Sequence, residues 1–220
     1  MNILPSFPLL GSLLGWVLFV ISIPSGWAQE GSSPEVFSQR HLLKTAPVHL
    51  EEVNLSYERF SHPNRSVQFG LGYLYQAHVN AGYAGEPLAT RVNGFALRVS
   101  QRSYSGRRRT GPEGGYRGPM AMYRYMAFPP SLRSGNVHLT QQVASLQYMW
   151  GMQRIFANWL VVDAYTGLGG RIKYAYERGG APQQDMYRSG LYGIVAATGP
   201  DWSILLGPSV HLNLSVGVAF

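Results

Sequence analysis

Apolar and polar residues alternate along most of this chain, and the alternation is clearest at its end. From Trp202 to Phe220 the even positions read Trp, Ile, Leu, Pro, Val, Leu, Leu, Val, Val, Phe. The odd positions are small or polar apart from Leu205. A period of two marks a strand with one apolar face; a helix would smear it. Residues 159–176 repeat the rule, with Leu160, Val162, Leu168 and Ile172 opposed by Asp163, Tyr165, Arg171 and Lys173. Residues 140–156 set Leu146, Tyr148, Trp150 and Met152 against Ser145, Gln147 and Gln153. Further strands are predicted at 53–60, 65–76, 92–104 and 116–128, with a short first strand at 42–50 whose facing the pattern leaves open. That makes eight.

The connections differ in kind. Those at 61–64 and 157–158 are tight, whereas 77–91, 129–139 and 177–200 are long and rich in Gly, Pro and polar residues. Short turns at one end, long loops at the other and an even strand count are the habit of an outer-membrane barrel. The link at 105–115 is long for the short-turn end, and the one at 51–52 is very short. The expectation is an all-β, eight-stranded, antiparallel, up-and-down transmembrane β-barrel over 41–220.

The start of the chain has another character. Residues 1–29 hold no Asp, Glu, Lys or Arg, and Leu9–Ile23 is an apolar run broken only by Gly and Ser. Gly26-Trp27-Ala28 places small residues where a signal peptidase cuts. Residues 1–28 therefore read as a cleavable signal peptide, although the usual Lys or Arg before the apolar run is missing. Residues 29–40 read as a short polar leader. No other apolar stretch is long enough for a spanning helix.

Composition sharpens this picture. In 220 residues there are 26 Gly and 14 Tyr, no Cys, 13% charged residues and 45% hydrophobic ones. Low charge without hydrophobic excess fits strands that are apolar on one face only. The absence of Cys excludes disulfides, thiolate metal sites and Cys nucleophiles. A soluble periplasmic β-barrel would alternate too, with its apolar face inward. Trp and Tyr near strand ends on the apolar face and a Gly- and Ser-rich opposite face favour the membrane form.

Three stretches carry a family resemblance. The ending Leu212-Asn213-Leu214-Ser215-Val216-Gly217-Val218-Ala219-Phe220 resembles the C-terminal signal of outer-membrane proteins. Leu43–Pro47 with Leu55–Arg59 and Phe69–Tyr73, and Val162–Arg171, resemble small barrels common in Bacteroidota, of the OmpA- or OmpX-like eight-stranded kind. The resemblance implies a bacterial outer-membrane location and contact with outer-membrane lipids. It also implies an assembly signal at Leu214, Val216, Val218 and Phe220 that the barrel-assembly machinery reads. It is nearly silent on activity.

The polar faces hold Glu58, Arg98, Arg102, Arg124, Asp163, Arg171 and Lys173, all expected to point inward as a lumen charge network around Glu58 and Asp163. Arg59 and Arg154 have outward parity, next to turns. Eight strands leave room for little more than side chains, so the first expectation is a plugged, structural lumen, with surface partners met through loops 77–91, 129–139 and 177–200. An inward excess of five basic over two acidic groups makes the alternative a small anion-preferring pore. A lipid-modifying enzyme is a third reading, resting on His211 and Ser215 on one face of the last strand; no carboxylate lies near them in sequence to orient the histidine, so no catalytic residue is assigned. The remaining histidines lack zinc spacing, and no cofactor or metal is expected. The net charge of +7 includes the run Arg107–Arg109. That run reads as a solvated turn near anionic head groups rather than a nucleic-acid site, because the chain is exported.

Overall fold

The structure is a computed structural model that describes residues 41–46, 51–62, 64–80, 87–105, 113–129, 138–178, 194–199 and 202–220. Residues 1–40, which hold the expected signal peptide and leader, lie outside the described residues, as do Arg107–Arg109. Every regular element among the described residues is a strand. They are β1 His41–Thr45, β2 Glu52–His62, β3 Arg65–Asn80, β4 Pro87–Tyr104, β5 Gly114–Phe128, β6 His138–Phe156, β7 Leu160–Arg178, β8 Ile194–Thr198 and β9 Trp202–Ala219.

Neighbouring strands pair antiparallel in chain order from β1 to β7, then β7 pairs β9, and β9 returns to β1. Eight strands thus form a closed ring. Closure rests on few residues: Leu42–Thr45 face Val216–Ala219. His41 and Phe220 then exchange both main-chain hydrogen bonds, at 3.1 and 2.9 Å. The ninth strand, β8, was expected to be part of a loop over 177–200. It pairs with the other end of β9 through Ile194–Thr198 opposite Ser203–Leu206.

Other boundaries move as well. The first strand ends at Thr45 rather than at 50, and β2 begins at Glu52, so the link expected at 51–52 runs over 46–51. Asn54 fixes that corner: its side-chain Oδ1 accepts from Ala46 N–H at 3.1 Å, and its main-chain carbonyl accepts from the Thr45 hydroxyl at 2.7 Å. Strands β3 and β4 run on to Asn80 and back from Pro87, shortening the loop expected at 77–91. Strand β6 starts at His138 and β5 at Gly114. The tight hairpin at 157–158 is as expected, with positive φ of 50° and 65° at Ala157 and Asn158. Two positive φ values make the type I′ turn whose twist suits antiparallel neighbours.

The alternation resolves into an outside and an inside. Val53, Leu71, Leu146, Val210 and Leu212 point outward and are 58–70% exposed. Inward side chains close the interior in layers. Leu42, Phe60, Tyr104, Val161 and Ala219 pack at the end where β1 begins and β9 finishes, here called the terminal end. Leu74, Val92, Ala96, Met126 and Phe128 pack toward the far end. Polar inward side chains are interleaved with these clusters: Glu58 is the ladder partner of Leu42, and Glu52 that of Leu74.

Candidate functional site

The interior holds two groups of ion pairs. The group nearer the terminal end joins Lys44 of β1, Glu58 of β2, Arg102 of β4 and Asp163 of β7. Lys44 Nζ lies 2.6 Å from Glu58 Oε2 and 2.8 Å from Asp163 Oδ2. Arg102 Nη1 lies 2.7 Å from Asp163 Oδ2 and 3.3 Å from Glu58 Oε2. Two cations and two anions alternate around a small ring, and all four side chains are at most 1% exposed.

Buried charges persist only when paired and hydrogen-bonded, and this group meets that demand almost atom by atom. The three donors of Lys44 reach Glu58, Asp163 and, at 2.9 Å, Gln153 Oε1. Glu58 Oε1 accepts from the hydroxyls of Ser66 and, at 2.7 Å, Tyr104. Asp163 Oδ1 accepts from the Tyr116 hydroxyl at 2.5 Å. The Arg102 guanidinium stacks on the Tyr116 ring, 4.3 Å from its centroid. Backbone space is made for that ring: a Cβ on Gly151 would come within 2.5 Å of it.

The second group centres on Glu52, the first residue of β2. Its Oε1 lies 2.5 Å from Arg98 Nη2, and its Oε2 lies 3.1 Å from Arg124 Nη2. Asn54 Nδ2 donates to Glu52 Oε1 at 3.2 Å. Arg124 also approaches Glu51 at 3.9 Å. Gly72 leaves room for the Glu52 carboxylate, since a Cβ there would sit 3.1 Å from Oε1. This group is less sealed: Arg124 is 22% and Glu51 34% exposed. Between the two groups lies a cavity of about 20 Å³, lined in part by Ser56, Gln68, Arg98, Ser100 and Tyr165. Gln68 Oε1 and Arg98 Nε are buried there without a protein partner. The space is about that of one water molecule.

Five of the seven residues expected to share the lumen enter these pairs: Glu58, Arg102 and Asp163 in one group, Arg98 and Arg124 in the other. Arg171 does not. Its parity is inward, but its cross-strand neighbours are Ser145 and Gly207, with Gly169 two residues before it. Nothing bulky covers it, and it is exposed. Lys173 is half-buried on the same wall. Lys44 and Glu52 were missed. Within the ion pairs Lys44, Arg98, Arg102 and Arg124 meet Glu51, Glu52, Glu58 and Asp163, four against four; with Arg171 and Lys173 added, the inward-parity basic residues still outnumber the acidic ones.

Leu214, Val216, Val218 and Phe220 share the outward parity, with Phe220 60% exposed. His41 stacks between Phe220 and Tyr57, its ring centroid 5.9 and 5.8 Å from theirs.

His211 and Ser215 both face inward, but four residues of strand set them roughly 13 Å apart along the backbone. Ser215 donates to the Asp163 carbonyl at 3.5 Å, and His211 packs on Tyr165. The Asp163 carboxylate is already taken up by Lys44, Arg102 and Tyr116. Nucleophile, base and orienting acid are therefore not within reach of one another. Among the described residues no cluster of His, Asp and Glu gathers to hold a metal ion.

Compared with family models, with curated proteins and with solved structures, the chain matches none.

Proposed function

We propose that this chain is an outer-membrane β-barrel with a closed lumen, whose role is structural or one of contact with surface partners. One observation carries the reading: the polarity of the barrel is inverted. Val53 is 63% exposed, Val210 68% and Leu212 70%, while Lys44, Glu58 and Asp163 are 0–1% exposed. A soluble barrel buries its apolar face; a barrel in lipid exposes it. Tyr57, Tyr73, Tyr75 and Trp159 on the outer face suit the aromatic girdles of the two interfaces. The apolar run before Gly26-Trp27-Ala28 supports export, and the alternating ending at Phe220 supports delivery to the assembly machinery.

The mature chain refolded into detergent micelles should migrate differently on a gel before and after boiling. Expressed with its leader in a Gram-negative host, it should fractionate with the outer membrane. A single boiling-insensitive band from the refolded sample, or recovery in the soluble periplasm, would overturn the reading. Paired charges and apolar layers at both ends support a plug rather than a channel. Planar bilayers should accordingly show no steady conductance steps, and ion-selective steps lost on Glu58→Ala would favour the pore instead.

A further inference from the structure

The outer face near the terminal end carries a feature that neither the plug nor the apolar band uses. Arg65 of β3, Ser103 of β4, Arg117 of β5 and Trp150 of β6 are consecutive partners along one line of cross-strand pairs. All four are exposed. With about 4.8 Å between strands, the two arginine backbones stand roughly 10 Å apart on the same surface, with only the Ser103 side chain between them. Arg59, also exposed, faces Val67, two residues from Arg65, which makes Arg59 and Arg65 diagonal neighbours on that face.

Three arginines therefore sit together on this wall, among Gln101 and Ser103 as well as the apolar Val67 and Trp150. The one exposed carboxylate described near this end, Glu113, accepts from the Ile155 N–H at 2.7 Å, on the far side of β5. Arginine forks match phosphate oxygens, and an indole beside them suits the head-group level. Resting on the membrane reading above, we propose that Arg59, Arg65 and Arg117, with Trp150, form a site for the phosphate of an acidic phospholipid, in the leaflet at the terminal end. Among the described side chains of this patch the charge is wholly positive, and on that reading the face is the lipid-facing one. The occupant this fits is an anionic head group whose acyl chains lie along the strands above.

The test uses the full mature barrel refolded into vesicles of four parts phosphatidylcholine to one part phosphatidylglycerol. Spin-labelled forms of each lipid report the protein-bound fraction. Wild type should favour phosphatidylglycerol by roughly fivefold or more, and the preference should weaken in molar salt. Arg65→Gln with Arg117→Gln should bring the ratio close to one, and the lysine versions should keep most of it. Folding of each variant is checked by its heat-shifted gel band. Equal association of both lipids with the wild-type barrel, or a glutamine variant as selective as wild type, overturns the site while leaving the membrane reading intact. A wild-type barrel that immobilises neither lipid overturns both.

Discussion

The two groups of ion pairs use the same chemistry at different depths. Around Lys44, Glu58, Arg102 and Asp163 every charged side chain is at most 1% exposed, and each carboxylate also accepts from a Tyr hydroxyl. Around Glu52 the carboxylate is buried, but Arg124 is 22% and Glu51 34% exposed. Depth decides what a broken pair costs. In the sealed group an abandoned charge has no water to turn to. In the open group solvent takes over part of the lost partner's role. The sealed group thus works as a bolt across β1, β2, β4 and β7. One of the strands it ties is β1, the five-residue strand on which ring closure depends.

The sharpest way to break this contrast is Asp163→Ala, which leaves Lys44 and Arg102 with one carboxylate between them. It should cost about 3–5 kcal/mol, read as a large drop in the urea midpoint of the refolded barrel. A change as small as that of a surface mutation would show that the group is wet. Replacing one charge of each sign, Lys44→Met with Glu58→Leu, keeps Arg102 paired with Asp163. That double variant should be less damaging than Glu58→Ala alone. Gly151→Ala drives a Cβ into the Tyr116 ring and should cost about 1–3 kcal/mol by overpacking. It should also displace the hydroxyl from Asp163. Arg124→Gln in the open group should cost no more than about 1 kcal/mol. Its effect should shrink in molar salt, while that of Asp163→Ala should not. Equal salt sensitivity of the two variants would erase the distinction between the groups.

Much of the interior was legible because parity along a strand needs only local sequence. Glu58, Arg98, Arg102, Arg124 and Asp163 could be placed inward by reading every second residue. Lys44 could not: its strand is five residues long and carries too few alternations to show a face. Glu52 was hidden beside Glu51, because two adjacent carboxylates look like a polar turn. Tyr104 had a signal, since it shares the parity of Arg98 and Arg102, but a tyrosine at a strand end also suits an interfacial girdle. Gln153 stood on the inward face, yet an uncharged amide gives no hint that it will serve both Lys44 and Arg102. Strand β8 was illegible because Ile194–Thr198 is a five-residue run in a Gly- and Pro-rich stretch.

The sequence by itself determined the strand number of the ring, the turn at Ala157-Asn158 and the division into an apolar and a polar face. These follow from a two-residue period and local turn preferences. Only the tertiary structure decided which inward charges meet. Lys44 and Asp163 are 119 positions apart in the chain, and no local rule relates them. They meet because the ring closes β9 onto β1, which sets β1 and β7 on either side of β9. Arg171, identical in parity to Asp163, has the small Ser145 and Gly207 as its ladder partners and stays exposed.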